Sequence, residues 1–131
     1  MPNSSGKLNL PPGIGRAGEA AARSHVTKIL GYKIAEANFR VREGEVDIVA
    51  HDGDVIVFIE VKTRTNRKFG SAAEQISQSK AQRLQMTAQQ YLAENSLENA
   101  DWRIDLLGVE MSRSGRVLAI DHIRSAIEDQ G

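Results

Sequence analysis

The chain has 131 residues, enough for one domain with a buried core, and its 17 basic side chains balance 17 acidic ones. A net charge of zero weighs against a protein that coats nucleic acid, since such domains are usually strongly basic. The absence of cysteine excludes a disulfide framework, thiolate zinc sites and a cysteine nucleophile. No apolar run is long enough to span a membrane, and Met1-Pro2-Asn3-Ser4-Ser5-Gly6 lacks the charged-then-apolar pattern of a secretion signal. A cytoplasmic protein with no membrane partner is therefore expected.

Residues 1–14 are polar and broken by Pro2, Pro11, Pro12 and glycines, which predicts a disordered tail and leaves 15–131 as a single domain. From Arg16 to Leu30 the pattern is helical, with Ala22, Val26, Ile29 and Leu30 on one face and Gly31 as the stop. Glu19 shares that inward stripe. Tyr32 to Val41 reads as a strand whose apolar phase shifts between Ile34 and Ala37, as a bulge would cause. After the turn Arg42-Glu43-Gly44 comes a second strand, Glu45 to Ala50. His51-Asp52-Gly53-Asp54 then carries the Asp-Gly hairpin signal. Val55 to Lys62 or a little beyond is almost continuously apolar, as a central strand covered on both faces should be. A basic loop leads into a helix from about Ala73 to Glu94, striped by Ile76, Leu84, Ala88, Tyr91 and Leu92. Strands near Trp102 to Val109 and Val117 to Ile123 follow, joined around Ser114-Gly115, with room for a short final helix. The order α-β-β-β-α-β-β gives a three-stranded meander and a helical crossover, hence an α/β mixed sheet with flanking helices.

Against this apolar background, carboxylates in the strands stand out, because they are expensive to place in half-buried positions. A loop at Asp52-Gly53 would set Glu45 opposite Glu60 and Asp47 opposite Phe58. Glu45, Asp47, Glu60 and Lys62 then project from one side of the sheet, with Asp47 and Glu60 as diagonal neighbours roughly 7–8 Å apart at their Cα atoms. A three-residue loop would separate them. Clustered carboxylates repel, so one keeps its proton unless a cation compensates. All-oxygen ligands favour magnesium or manganese, whereas His25, His51 and His122 show no zinc-ligand spacing. Two carboxylates, a cation and a lysine suit hydrolysis of a phosphodiester.

Asp47, twelve residues, then Glu60-Val61-Lys62 matches the PD-(D/E)xK nuclease signature, with valine in place of the proline before Asp47. Gly15-Arg16-Ala17-Gly18-Glu19, Gly31-Tyr32, Asn38-Phe39-Arg40, Gly44-Glu45-Val46-Asp47, Phe58 to Arg64 and Phe69-Gly70 extend the likeness. Together, from about Gly15 to Ile127, they resemble the YraN-type family of small bacterial endonuclease-like proteins, related to archaeal Holliday junction resolvases. The resemblance implies a restriction-endonuclease-like fold, with Asp47 and Glu60 as metal ligands and the Val61 carbonyl as a third. It also implies Lys62 as the catalytic lysine, Glu19 as a helix-borne acid completing the catalytic and metal site, and magnesium or manganese as cofactor. Glu45 and Lys80 are less certain additions. Junction resolvases act as dimers, so a homodimer is one arrangement the resemblance admits, with an edge supplied by the strands near 102–123.

Each residue also has a plainer role. Glu19 as a first-turn acid would stabilise the helix macrodipole, Glu45 belongs to a turn, and Lys62 could reach solvent or simply pair with Glu60. Lys80 lies between apolar positions and either snorkels to solvent or points at a phosphate. The basic residues Arg64, Arg67, Lys68, Lys80 and Arg83 serve either as a solvated loop and helix start or as contacts to the DNA backbone. The expected function is metal-dependent, endonuclease-like hydrolysis of DNA phosphodiester bonds. Structure-selective (branched DNA) or nonspecific action is expected, because no base-reading element is present. The alternative is a non-catalytic DNA- or protein-binding module on the same fold.

Overall fold

A computed structural model describes residues 10–66 and 76–128. The expected tail residues 1–9, and with them Arg67, Lys68 and Phe69-Gly70, lie outside this range. Helix α1 spans Ile14–Ser24, and strands β1 (Lys33–Val41), β2 (Gly44–Asp52) and β3 (Val55–Arg64) form the meander. Helix α2 (Gln78–Glu94) crosses over to β4 (Trp102–Met111), which runs parallel to β3, and β5 (Val117–Ile127) returns antiparallel. The sheet order is β1-β2-β3-β4-β5. This mixed α/β architecture, in the order α-β-β-β-α-β-β, is consistent with a restriction-endonuclease-like fold.

The two helices cover opposite faces of the sheet. On one, Ala22 of α1 and Val26 just beyond its end pack with Ile48, Ala50, Val57, Ile59, Val61 and Leu107. On the other, Leu84, Ala88, Tyr91 and Leu92 of α2 pack with Phe39, Val46, Val49, Ile56, Phe58 and Ile104. Strand β3 sits between both layers, and Ile56 to Arg64 are all buried, which explains its unbroken apolar run.

Several expectations shift for local reasons. Helix α1 begins at Ile14, and its backbone widens into a π-helical turn over His25–Ile29, where the Leu30 N–H donates to the His25 carbonyl five residues back. The wider turn rotates the apolar stripe, so Ile29, expected inside, is 71% exposed while Leu30 packs against the core. Helix α2 starts at Gln78, because extended Ser77 caps it, its hydroxyl accepting from the Lys80 N–H at 3.0 Å; the expected start near Ala73 lies outside the described residues. Ile76 therefore precedes the helix. The final helix is replaced by strand, since β5 runs on to Ile127. The bulge in β1 falls between Ile34 and Glu36, within the expected stretch.

One close approach positions α1. A Cβ built on Gly18 would stand 2.2 Å from Thr63 Oγ1 and 2.9 Å from Thr63 Cβ, so the helix rides on β3 at a place where only hydrogen fits. Thr63 is branched next to its own backbone and cannot swing aside. Gly18→Val is expected to cost about 1–3 kcal/mol by overpacking, measurable as a lower urea midpoint with unchanged slope. The contact also holds Glu19 beside the end of β3 that carries Lys62.

Candidate active site

The β2–β3 ladder runs from Asp52↔Val55 to Ile48↔Ile59. The loop is thus Gly53-Asp54, with Gly53 at φ +60, because the first position of this tight turn needs a left-handed residue. The expected register is therefore corrected by two residues: Phe58 lies opposite Val49, not Asp47, and Glu45 is not opposite Glu60. A slip of two preserves the faces and brings Asp47 level with Glu60 as the next pair beyond Ile48↔Ile59. Asp47 and Glu60 are closer than the expected diagonal, and their carboxyls are within hydrogen-bond reach.

That next pair is where the ladder ends. Val46 packs on the α2 side and Ile48 on the α1 side although they are two residues apart, so β2 rolls over at Asp47. Its neighbour strand turns at the same level, where Asn38 takes φ +56 between the pairs Ala37↔Ile48 and Phe39↔Val46. The strands fork there. The Asp47 carboxylate fills the gap, with Oδ2 accepting from the Val61 N–H at 2.7 Å. Glu60 receives the Lys80 ammonium at 3.0 Å from the first turn of α2. Lys62 follows two residues along β3 on the same face as Glu60.

All three β-strand residues are deeply set: Asp47 is 8% exposed, Glu60 6% and Lys62 8%. Burial pushes the Asp47 carboxyl up to about 8; the charge of Glu60 adds to this, the Val61 N–H opposes it, and Glu19 adds a smaller push. Lys62 is held below the usual lysine range, mainly by burial; Glu60 resists that shift, while Lys80 and Arg64 reinforce it. A carboxyl held protonated beside a second one is the state expected of a site that takes up positive charge. The donor set gathered at the fork is all oxygen, from the two carboxylates. It fits a hard dication that keeps part of its water shell, magnesium or manganese. Among the described residues no three acids or histidines converge tightly enough to hold a metal by themselves.

The other candidates are distributed as follows. Glu19 is the sixth residue of α1, outside its first turn, so the macrodipole reading does not apply to it. It is half-buried and lines a cleft of about 850 Å³ with Arg16, Arg23, Asn38, Arg40 and Glu45. Glu45 is a strand residue, not part of the turn, and pairs across the ladder with Arg40. The buried Lys62 does not reach freely into solvent, and Lys80 is drawn in by Glu60. Arg64 is buried, with its guanidinium 3.8 Å from Asp121. Arg83 is exposed and donates to Ser79 Oγ at 2.7 Å.

A second polar cluster escaped the sequence reading. Asp105 is fully buried; one of its oxygens lies 2.7 Å from His122 Nε2, while the other accepts from Arg103 Nε at 3.0 Å and from the Ser125 N–H at 2.9 Å. Arg103 continues to the Tyr32 hydroxyl at 2.8 Å and to Asp52 at 3.3 Å. Ser125 has φ +49 in the β5 irregularity between the pairs Ile104↔Ile127 and Leu106↔Ile123, so Asp105 pins that bulge. Its role is structural. Only a lone acid in an apolar strand hinted at it.

The model of a family described as "Uncharacterised protein family UPF0102" matches residues 18–109, from the glycine seated on Thr63 through the fork, α2 and most of β4. A UPF0102 protein of Pelotomaculum thermopropionicum is 41% identical over 113 residues, covering 86% of this chain and 93% of its own length. Another, from Frankia casuarinae, is 42% identical over 113 residues (86% and 94%), and one from Symbiobacterium thermophilum is 42% identical over 104 residues (79% and 87%). No helix among the described residues is long and apolar enough to cross a membrane. The match spans most of the folded part, and these relatives align over nearly their whole length, so the chain belongs to the uncharacterised protein family UPF0102, the YraN-like family that its motifs resemble.

Proposed function

We propose that this protein is a metal-dependent endonuclease acting on DNA phosphodiester bonds, through backbone contacts and without sequence reading, in the cytoplasm. One observation carries the reading: Asp47 and Glu60 stand side by side and buried at a strand fork, with Lys62 two residues beyond Glu60. Asp47, Glu60 and the Val61 carbonyl would hold magnesium or manganese, with Glu19 as the nearest further acid. When bound, such a cation polarises a phosphate and eases deprotonation of water. The chain's own residues do the rest. Lys62, held below the usual lysine range mainly by burial, gives up its proton more readily than a surface lysine, and its amine orients the attacking water. Lys80 keeps Glu60 turned into the fork. The low dielectric of the strand interior strengthens each of these contacts.

A panel of single-stranded, duplex, flap and four-way-junction DNA with manganese tests this. Wild type should nick or cut at least one form, and Glu60→Gln and Lys62→Ala should each lower the rate by a hundredfold or more while melting as folded proteins. Equal cleavage by the variants would trace the activity to a contaminant. A non-catalytic binding module is favoured by a different observation: both acids already have structural partners, Asp47 the Val61 N–H and Glu60 the Lys80 ammonium. Manganese calorimetry separates the two readings. The endonuclease requires a binding heat that Asp47→Asn removes, and the module requires none.

A further inference from the structure

The arginines gathered around the cleft beside the fork form a basic track that the endonuclease reading does not use. Arg16, Glu19 and Arg23 fall at i, i+3 and i+7 of α1 and so make one stripe, which faces Asn38 and Arg40 of β1 and Glu45 of β2. Three guanidiniums meet two carboxylates there, so the cleft is net positive although the whole chain is neutral. Arg40 is solvent-open, with 75% of its side chain exposed, and its surface ion pair to Glu45 is one that salt or a phosphate can exchange. Through Asn38 the cleft reaches the level of the fork. Asn38 stands level with Asp47 between the pairs Ala37↔Ile48 and Phe39↔Val46, and the charge of Glu19 reaches both Asp47 and Arg40.

We infer that the α1–β1 cleft of Arg16, Arg23 and Arg40 is the phosphate track that delivers a DNA strand to Asp47 and Glu60. This inference rests on the endonuclease reading and names the substrate-holding surface of the same site. Guanidiniums suit the task because their planar forks pair with phosphate oxygens in a bidentate way. Arg16 and Arg23 are about 10 Å apart along the helix axis, about three base steps of a duplex strand, so they grip different phosphates. Glu19, set between them, repels a phosphate from the middle of the stripe and turns the strand toward the fork. Of the basic residues first expected to hold the backbone, Arg64 is buried against Asp121 and Lys80 is committed to Glu60, which leaves Arg83 exposed among the described ones.

The test is binding of a fluorescent DNA duplex by anisotropy, with calcium in place of manganese, over a series of salt concentrations. In the triple variant Arg16→Gln/Arg23→Gln/Arg40→Gln the slope of log affinity against log salt should shrink by about 2–3, and Arg23→Gln alone should remove about 1. Lys33→Gln, at the far end of β1, should leave the slope unchanged. The triple variant should keep its manganese heat and its fold. An unchanged slope in the triple variant overturns the track. If wild type cleaves DNA and the triple variant cleaves it equally fast, the track is wrong while the endonuclease stands. If wild type neither binds nor cleaves any DNA form, the functional reading falls and takes the track with it.

Discussion

Asp47→Asn is expected to be more stable than the wild type at pH 8 in a metal chelator, and to take up no manganese. The sign follows from the fork. The Asp47 carboxyl sits at about 8 in the folded protein, raised chiefly by burial and by Glu60, against 3.8 for an unperturbed aspartate. Below about pH 4 both folded and unfolded chains hold the proton, and the group contributes nothing to the pH dependence. Between about pH 4 and pH 8 the unfolded chain releases it and the folded chain does not, so wild-type stability falls as pH rises, by at most about 1.4 kcal/mol per pH unit. Above about pH 8 the loss levels off. Asparagine cannot ionise, and its carbonyl oxygen can still accept from the Val61 N–H, so the variant should lack this slope. A bound dication should flatten the wild-type curve by stabilising the ionised pair. Urea titrations from pH 5 to 8.5, with and without manganese, measure all of this. Parallel stability curves for the two proteins in chelator would remove the physical basis of the site.

The second large effect lies away from the fork. Asp105→Ala should destabilise the protein by about 3–5 kcal/mol, the cost of breaking a buried charge network on one side. The carboxylate is fully buried and satisfies three donors or partners at once: Arg103, His122 and the Ser125 N–H. With alanine there, the bulge at Ser125 loses the acceptor that allows its positive φ, and the Arg103 guanidinium keeps only Tyr32 and Asp52. Asp105→Asn retains the shape and one acceptor and should lose less. Urea unfolding gives the magnitude, and amide exchange at Ser125 locates it. A loss below about 1 kcal/mol would mean that the network is incidental. DNA cleavage by Asp105→Asn, assayed well below its melting temperature, should stay near the wild-type rate, because nothing in this cluster touches Asp47 or Glu60.

Much of the architecture was legible because period and punctuation agree along this chain. Two-sided burial made Val55 to Lys62 read as a central strand, Gly31 and Gly115 adopt the left-handed backbone their turns need, and the shift between Ile34 and Ala37 marked a real bulge. The Asp47 and Glu60 pair was legible for a related reason: acids in apolar strands separated by a hairpin fall on one face in any register that differs by an even step. The likeness to YraN-type proteins was carried by the same residues.

What stayed hidden lay in turn geometry, capping and contacts between elements that apolar periodicity does not encode. The two-residue slip of the hairpin turned a diagonal pair into direct neighbours, because one glycine chose its place in the turn. The π-helical turn that throws Ile29 into solvent and the Ser77 cap that starts α2 at Gln78 are local hydrogen-bond choices, while the grip of Lys80 on Glu60 comes from how α2 seats on the sheet. The amino-acid order alone therefore determined which residues carry charge into the strands and on which face. Packing of the helices across β3 decided which of those charges meet, since spacing sets direction along an element while only three-dimensional closure sets distance between elements.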